Sequence, residues 1–527
     1  MSFNLADLFE RVAATVPDRE AVVCGHRRLS YAELDQRADR VASALAAAGV
    51  GRGDHVAIAL RNGIEYLELM LGAFKLAAVP VNVNYRYQLA ELHHVLADCG
   101  ARVVVHEPGT AALIDVVRRR LPEIEHAIER GTAYETWLDD AAGPVPAVDR
   151  GDDDLYVLYT GGTTGDPKGV VWRHVDIFFA AMGGGIRGGD AISHPDEIVD
   201  QVAEVPSRVL AASPLMHGTA HWFAFLTLFG GGTVVLSADT TLSPDRVLDL
   251  LHAEKISTLV LVGDAIAAPL ASALDTEPRR WELDALTVIL SGGATLSAPV
   301  RRSLLGHLPW IVVVDSYGTS ETGGQASAVH TPGMDVRSVA QTFEPRTHTL
   351  VVDADMQPVA PGTEIVGRIA RRGHVPLCYH GDPESTAATF PVIDGERWAI
   401  TGDHAMVAAD GRIVLLGRGS TTINSGGEKI HPEEVEAVLR EHPAIYDAVV
   451  VGVPDERWGE RVTAVVAARP GRVVVAEELT EHCRTRLAAF KAPRSVVVVD
   501  EVQRLESGKP DHRWAHAAAA GAPLHSG

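Results

Sequence analysis

Residues 159–169, YTGGTTGDPKG, combine four glycines, four hydroxyl side chains and one lysine after an apolar run. Glycine-rich backbone can present several N–H groups to an anion, and a lysine adds a compact positive charge. The hydroxyls of Thr160, Thr163 and Thr164 and the ammonium of Lys168 are suitable donors to phosphate oxygens. The composition therefore favours a phosphate-binding loop, and a loop that only faces solvent is the alternative.

Two better-known nucleotide signatures do not fit this chain. A Walker A loop needs GxxxxGK followed by Ser or Thr, whereas Pro167 precedes Lys168 here and Gly169 follows it. The letters GxGxxG occur in GGGIRG at 183–188, but they follow a helical pattern and no strand. A dinucleotide fingerprint is therefore not indicated.

His217 and His221 have the i, i+4 spacing of metal ligands on a helix. No carboxylate lies between them and Gly218 interrupts the helical pattern, so a pocket or core role is favoured over a metal site. Neither HExxH nor GxSxG occurs, which removes the commonest signals of zinc proteases and serine hydrolases.

Further glycine-rich and charged segments follow the 159–169 segment along the chain. They are PLMHG (214–218), SGGA (291–294), SYGTSE (316–321), WAITGD (398–403), GRGSTTINSGGEKIHPEEVE (417–436) and ESGKP (506–510). In this order they resemble the motifs of the adenylate-forming superfamily, which includes acyl-CoA synthetases, free-standing adenylation domains and luciferases. GGTTG with KGVVWR, MHGTAHW and GKPDHRWA further resemble actinobacterial ligases of long-chain or steroid side-chain carboxylic acids.

The resemblance implies activation of a carboxylic acid by ATP, in which a carboxylate oxygen attacks the α-phosphate and pyrophosphate leaves. It assigns the β- and γ-phosphates to Thr160, Thr163, Thr164 and Lys168. Ser320 would contact the α-phosphate, Glu321 would bind Mg²⁺, and Lys509 would bridge the carboxylate and the α-phosphate as the catalytic cation.

The resemblance also assigns the nucleoside and CoA contacts. The adenine slot would consist of Gly292, Gly293, Asp315, Ser316 and Tyr317, and the ribose hydroxyls would bind Asp403 and Arg418. The pantetheine of CoA would pass Ser425, Gly426, Gly427 and Glu428. The family's C-terminal domain rotates after the Gly-Arg pair, where the usual hinge residue is Asp or Lys and this chain has Ser420.

The acyl pocket is the least specified part of the site. Its candidate lining residues are His217, Gly218, His221, Trp222, Phe225 and Gly318. None of them is a lysine or an acid, which favours an apolar substrate. The glycine-rich stretch 178–205 is either a cover over a large substrate or a surface insertion.

The predicted activity is that of an AMP-forming acyl-CoA ligase with ATP, Mg²⁺ and CoA. One alternative is an enzyme that loads a carrier protein, although the chain has no carrier domain of its own. The other is a nucleotide-binding protein without catalysis.

The motifs are positioned by predicted helices and strands that alternate along the chain. Ser30 and Glu33 form a capping-box pattern before a helical apolar stripe that ends near Gly49. Short β-branched runs then alternate with amphipathic helices, which predicts an α/β domain with mostly parallel sheets. We place an N-terminal adenylation domain at 1–417 and a small mobile α+β domain at 418–527.

Composition excludes several classes of function. The 527 residues are 46% hydrophobic and 22% charged, with a formal net charge of −22, which argues against a nucleic-acid partner. The four cysteines form no CxxC pair, and neither a signal peptide nor a membrane span is evident. These features predict a cytoplasmic protein that acts on small molecules, and they leave a homodimer open.

Overall fold

The computed structural model describes residues 2–141, 143–160, 166–185, 191–239, 242–334, 342–425, 428–455, 458–505 and 508–521. These residues form a large domain on two β-sheets and a smaller C-terminal domain on a third. The predicted mixed α/β fold is confirmed. No helix of the described part has both the length and the apolar character needed to cross a bilayer.

The helices of the described residues are numbered in chain order. They are α1 (Leu5–Thr15), α2 (Tyr31–Ala47), α3 (Ile64–Lys75), α4 (Leu89–Cys99), α5 (Ala111–Arg118), α6 (Thr132–Asp140), α7 (His174–Ala181), α8 (Gly218–Phe229), α9 (Pro244–Ala253), α10 (Gly263–Thr276), α11 (Ala298–His307), α12 (Pro383–Thr389), α13 (Pro432–Arg440), α14 (Ala476–Arg484) and α15 (His512–Ala519). Short 3-10 turns occur at Pro108–Thr110, Gly183–Gly185, Pro195–Gln201, Gly419–Thr421 and Ala489–Lys491.

The strands are numbered in the same way. They are β1 (Glu20–Cys24), β2 (Arg27–Ser30), β3 (His55–Ala59), β4 (Val79–Asn82), β5 (Val103–His106), β6 (His126–Glu129), β7 (Leu155–Tyr159), β8 (Gly169–Arg173), β9 (Arg208–Ala211), β10 (Thr233–Leu236), β11 (Thr258–Leu261), β12 (Val288–Gly292), β13 (Val312–Thr319), β14 (Gly323–His330), β15 (Thr342–Pro345), β16 (Thr349–Val352), β17 (Gly367–Arg372), β18 (Cys378–Tyr379), β19 (Val392–Ile393), β20 (Glu396–Val407), β21 (Ile413–Arg418), β22 (Ile423–Ser425), β23 (Glu428–Ile430), β24 (Ile445–Asp455), β25 (Gly459–Ala468) and β26 (Ser495–Val499).

The larger sheet of the large domain has a parallel and an antiparallel part. Strands β1, β10, β9, β11, β12 and β13 are parallel neighbours in that order. Strands β14, β15, β21, β20, β17 and β16 continue the sheet with antiparallel pairing. The expected parallel pairing is therefore observed among β1 and β9–β13. Strands that are joined by a short turn, such as β13 and β14, can pair only in the antiparallel direction.

The second sheet has the order β18-β8-β7-β4-β3-β5-β6. Its β7 and β8 form an antiparallel hairpin whose connection is residues 160–168, so the glycine-rich segment leaves the end of a buried strand. The β7 strand is parallel to β4, which is parallel to β3.

Helices fill the space between the two sheets and cover their outer faces. Val22 and Ile58, from the two sheets, belong to one core with α1, α2, α3, α7 and α8, and every residue of α3 is buried there. Their neighbours Val23 and Ala57 face two other cores, one with α9–α11 and one with α4 and α5. Because successive strand residues face opposite sides, each central strand reads as a continuous apolar run.

The small domain begins where the chain leaves the larger sheet. β21 ends at Arg418 in that sheet, and β22 begins at Ile423 in the third sheet, which has the order β23-β22-β25-β24 with β26 beside β25. Helices α13 and α14 cover one face of this sheet and α15 covers the other.

Local signals located several elements well. The capping box of Ser30 and Glu33 is confirmed at the start of α2, with both reciprocal hydrogen bonds present. The stretch 178–205 does not behave as a surface insertion throughout, because Ile192 and Ile198 are buried in the central core. Residues 186–188 of the GGGIRG segment lie outside the described residues.

Candidate active site

The 160–168 loop is closed at its base by two hydrogen bonds. The Thr160 amide donates to the Lys168 carbonyl at 2.9 Å, and the Lys168 amide donates to Thr160 Oγ1 at 3.3 Å. These bonds continue the β7–β8 ladder by one step. Thr163 and Thr164 lie outside the described residues, so their assignment to phosphate stays a prediction.

The ammonium of Lys168 is held by the beginning of α12. Nζ lies 2.8 Å from Asp382 Oδ2 and donates to Ser385 Oγ at 2.5 Å. Asp382 also caps α12 by accepting from the Ser385 amide at 2.9 Å. The hydrogen bond from Lys168 is the main reason that the pKa of Asp382 lies below its ordinary value. A carboxylate thus occupies a position next to Lys168 where a phosphate group would also be attracted.

Glu321 lies in the turn between β13 and β14. Its amide donates to Thr319 Oγ1 at 3.2 Å, and the Thr319 amide donates to Thr322 Oγ1 at 3.1 Å, so side chains define the turn. The adjacent Ser320 carbonyl accepts from Trp172 Nε1 at 3.1 Å. Since Trp172 is on β8, this bond ties the SYGTSE motif to the hairpin that carries Lys168.

Tyr379 connects the predicted phosphate and magnesium residues. Its hydroxyl donates to Glu321 Oε1 at 3.0 Å, and Lys168 Nζ lies 5.5 Å from the centre of its ring. The predicted convergence of Lys168 and Glu321 is therefore observed. Tyr379 and Asp382 themselves escaped the sequence analysis, although Asp-Pro-Glu at 382–384 is a helix-start signal that points to the second of them.

The predicted adenine residues lie where the parallel pairing of β12 with β13 ends. Gly292 of β12 is the register partner of Ser316 of β13, and Ser291 is that of Asp315. Asp315 is buried, and this burial raises the pKa of Asp315 to about 7 despite Arg301 Nη1 at 3.7 Å from its Oδ2. Crevices at the carboxyl ends of parallel strands are the usual ligand sites of open α/β sheets.

Three further members of the predicted nucleoside site have defined positions. Gly293 has φ +85°, where a side chain would be strained, and a Cβ there would meet Thr219 Oγ1 at 3.3 Å. The Tyr317 ring lies 6.0 Å from that of Phe343. Asp403 is buried on β20 and is the register partner of Arg418 on β21, whose side chain lies outside the described part.

The loop that carries Lys509 lies against the large domain. A Cβ at Gly508 would be 2.9 Å from Val262 Cγ1 and 3.3 Å from Ala265 Cβ. Burial, together with the nearby charges of Lys509 and Arg86, lowers the pKa of His217 to about 4. The charge of Lys509 therefore acts on His217, although the two residues are distant in sequence.

Helix α8 begins at Gly218 and has two different faces. His221 and Phe225 are on its buried face, with ring centres 5.5 Å apart, and Tyr156 lies 5.4 Å from His221. These two side chains form the aromatic core behind the helix, which does not fit the prediction that they line a pocket. The 3.6-residue period of the helix places them on the side that packs into the core.

The other face of α8 is half-buried. Its residues are Gly218, Thr219, Trp222, Phe223 and Leu226. Trp222 Nε1 donates to the Tyr156 hydroxyl at 3.1 Å, and its ring would contact a Cβ at Gly218. Thr219 lies beside Gly293, and Leu226 lies beside Gly183. Thr219, Phe223 and Leu226 were missed in the sequence, although their i, i+4 and i+7 spacing marks one face of a helix.

Gly318 differs from its predicted role as a pocket residue. A Cβ at this position would be 2.2 Å from the Gly323 carbonyl oxygen on the neighbouring strand. The glycine therefore allows β13 and β14 to approach each other, and its missing side chain does not open a pocket.

The predicted pantetheine residues belong to the small domain. Ser425 is buried at the end of β22 and pairs with Glu428, which is exposed at the start of β23. Gly426 and Gly427 lie outside the described residues, so the CoA path remains a prediction.

Comparisons with known proteins agree with this geometry. The model of the AMP-binding enzyme family matches residues 9–379, and that of the AMP-binding enzyme C-terminal domain matches residues 434–509. The chain is 39% identical to a 3-oxocholest-4-en-26-oate–CoA ligase of Rhodococcus rhodochrous, over 98% of this chain and 96% of that protein. It is 40% identical, with the same coverage, to a medium/long-chain-fatty-acid–CoA/3-oxocholest-4-en-26-oate–CoA ligase of Mycolicibacterium smegmatis.

Among solved structures, the anthranilate CoA ligase AuaEII in complex with anthranoyl-AMP superposes with a TM-score of 0.85 at 25% identity. The superposition covers 98% of this chain and 97% of that one. Both domains of the relatives are therefore present in the same order. The chain belongs to the AMP-binding enzyme family of the adenylate-forming superfamily.

Proposed function

We propose that the protein is an AMP-forming acyl-CoA ligase. The convergence of Lys168 and Glu321 at Tyr379 is the observation that carries this proposal, and Gly508, next to Lys509, lies against Val262 of the large domain. A carboxylic acid and ATP would form acyl-AMP and pyrophosphate, and the CoA thiol would then displace AMP to give the thioester. The relatives at about 40% identity bear names of CoA ligases, which supports the same reaction.

Different residues would have different roles in the first step, the formation of acyl-AMP. Lys168 would exchange Asp382 and Ser385 for the terminal phosphates, and Thr160 would remain at the base of the loop. Ser320 would contact the α-phosphate, where the carboxylate oxygen forms its new bond as the bond to pyrophosphate breaks. Lys509 would neutralise the charge that both oxygens share at this centre, which is the largest demand of the step.

The residues also fit a magnesium ion. Mg²⁺ is usually held by one or two carboxylates together with substrate phosphates and waters. Glu321, whose Oε1 is oriented by the Tyr379 hydroxyl, supplies one such carboxylate on the same side as Lys168. Bound Mg²⁺ would neutralise and orient the triphosphate.

The second step requires a different position of the small domain. While the loop of Lys509 is docked on the large domain, Lys509 would occupy the place from which a thiol has to approach the acyl carbonyl. Rotation of residues 418–527 about Ser420 would withdraw Lys509 and bring the 425–428 segment toward the site. The boundary at 417, the hinge at Ser420 and the pantetheine path are parts of this proposal.

The substrate that we propose is an apolar acid such as a fatty acid or a steroid side-chain acid. The half-buried face of α8, with Phe223 and Leu226, offers apolar contacts, and Thr219 lies where this face meets Gly293. The names of both relatives include a steroid acid, and one also includes medium- and long-chain fatty acids. We place the enzyme in the cytoplasm, as a monomer or a homodimer.

The test is an assay of AMP release with a panel of fatty, aryl and steroid acids, with free CoA or a carrier protein as acceptor. We expect acid-dependent AMP release with CoA and an apolar acid. Transfer only to the carrier protein would support the alternative acceptor. Absence of acid-dependent pyrophosphate exchange across the whole panel would contradict a ligase and leave nucleotide binding without catalysis.

A separate variant tests the role of Lys509. Lys509→Ala should slow acyl-AMP formation by orders of magnitude, while transfer from supplied acyl-AMP to CoA continues. Equal loss of both steps would contradict the assignment of Lys509 to adenylation alone.

A further inference from the structure

Lys509 lies in a hairpin whose described residues are 504, 505 and 508–510, and residues 504–510 are here called the Lys509 hairpin. The Leu505 amide donates to the Lys509 carbonyl at 2.8 Å, and the Gly508 amide donates to the Leu505 carbonyl at 2.8 Å. Arg504 and Pro510 form an antiparallel bridge at its base. These backbone bonds join the described residues of the hairpin to each other, but they do not set its position on the small domain.

Arg504 connects this hairpin to the body of the small domain. Its Nε and Nη2 donate to the two carboxylate oxygens of Asp447 at 2.9 and 2.8 Å, and its Nη1 donates to the Gly508 carbonyl at 2.9 Å. The two side chains are only 16% and 13% exposed. A bidentate guanidinium–carboxylate pair with little exposure fixes both distance and angle, which a single exposed ion pair does not.

Asp447 is itself held from several sides. Its Oδ1 accepts from the Ala448 amide at 2.8 Å and from Arg440 Nε at 3.3 Å. Arg440 is buried and also bonds to Glu436 and to the Ala448 carbonyl. Asp447 therefore belongs to the packed junction of α13 and β24 and provides a fixed support.

The same cluster lies at the contact with the large domain. Asp264 lies at the start of α10, and burial raises its pKa above the ordinary value. The charge of Arg440 offsets part of this rise, so the two groups are close enough to interact. Along the chain, Asp264 lies between Val262 and Ala265, and the side chains of these two residues are the ones that a Cβ at Gly508 would contact. The support, the Gly508 carbonyl and the large domain thus meet within one region.

We propose that Asp447 and Arg504 are positioning residues for adenylation, which brace the Gly508 carbonyl and so place the neighbouring Lys509 in the active site. This inference rests on the proposed ligase function. Neither residue touches the reacting atoms. Their effect should therefore be confined to the step that uses Lys509, and it should act on turnover more than on ATP binding.

The test compares the two half-reactions in Arg504→Gln and Arg504→Lys. We expect Arg504→Gln to slow acyl-AMP formation by about 10- to 100-fold, because small misplacements of a catalytic group cost this much. Thioester formation from supplied acyl-AMP should stay within about twofold, and KM for ATP should change less than kcat. Arg504→Lys keeps the charge without the bidentate geometry and should be intermediate.

Arg486→Gln is the matched control, because Arg486 lies in the same domain and contacts His482, Thr485 and Glu441, which are not part of the Lys509 hairpin or its support. It should leave both half-reactions unchanged. Normal adenylation by Arg504→Gln would overturn the proposal that Arg504 and Asp447 position Lys509. An equal loss of both half-reactions at an unchanged melting temperature would overturn it as well. If Arg504→Gln does not fold, Arg504→Lys decides by the same criteria. A wild-type chain that makes no acyl-AMP would instead overturn the proposed function.

Discussion

Gly508→Ala offers a sharp test of how Lys509 reaches the large domain. Gly508 has φ +76°, and its missing Cβ would lie 2.9 Å from Val262 Cγ1, well inside ordinary carbon–carbon contact. Alanine in this left-handed conformation costs about 1–2 kcal/mol, and this cost applies whether or not the domains touch. The overlap with Val262 applies only when the Lys509 hairpin is docked.

Gly471→Ala separates the two contributions. Gly471 lies in the same domain with φ +72°, and nothing lies within 4 Å of the position of its Cβ. Both variants should therefore lose similar free energy of unfolding. Only Gly508→Ala should also slow acyl-AMP formation, by about tenfold for a docking penalty of about 1.4 kcal/mol.

The assay is pyrophosphate release with ATP and acid alone, next to thioester formation from supplied acyl-AMP and a melting curve. Adding Val262→Ala to Gly508→Ala removes the methyl group in the way and should restore part of the lost rate. The docking argument is wrong if Gly508→Ala adenylates at the normal rate, or if Gly471→Ala shows the same selective loss.

Three other predictions follow from single contacts. Tyr379→Phe removes the hydrogen bond to Glu321 and should raise the Mg²⁺ concentration needed for half-maximal adenylation; an unchanged Mg²⁺ titration would contradict this role. Asp382→Asn weakens the hold on Lys168 and should lower KM for ATP by roughly two- to fivefold, whereas a higher KM would show that the pair supports ATP binding. Burial lowers the pKa of His221 to about 3 in the folded protein, whereas the histidine of the unfolded chain binds a proton below about pH 6.5. The free energy of unfolding therefore decreases as the pH falls from about 6.5 to about 3. Between pH 7 and 4.5, His221→Phe should therefore lose about 2.5 kcal/mol less free energy of unfolding than the wild type, as measured by denaturant titration at each pH. If the free energy of unfolding of the variant falls with pH as steeply as that of the wild type, His221 is not neutral and buried.

Much of the local structure could be predicted from the chain itself. The capping box at Ser30 and Glu33 and the apolar runs of the central strands depend on neighbours a few residues away. Such signals are readable because helix and strand periods are properties of the local backbone. The ordered motifs likewise carried the resemblance to the adenylate-forming superfamily.

Long-range contacts could not be predicted in this way. Nothing near Lys168 in the sequence indicates that it pairs with Asp382, or that Tyr379 lies between it and Glu321. The helical period of α8 marks two faces, but only packing between the two sheets decides that His221 faces the core.

The chain by itself therefore determined which chemical groups are available, in which order, and on what kind of local element. The tertiary structure decided which of these groups meet: Gly508 lies against Val262, and Arg504 lies between Asp447 and the Gly508 carbonyl. The physical reason is that these contacts join residues far apart along the chain. Their geometry is set by sheet order and domain docking, which no local pattern encodes.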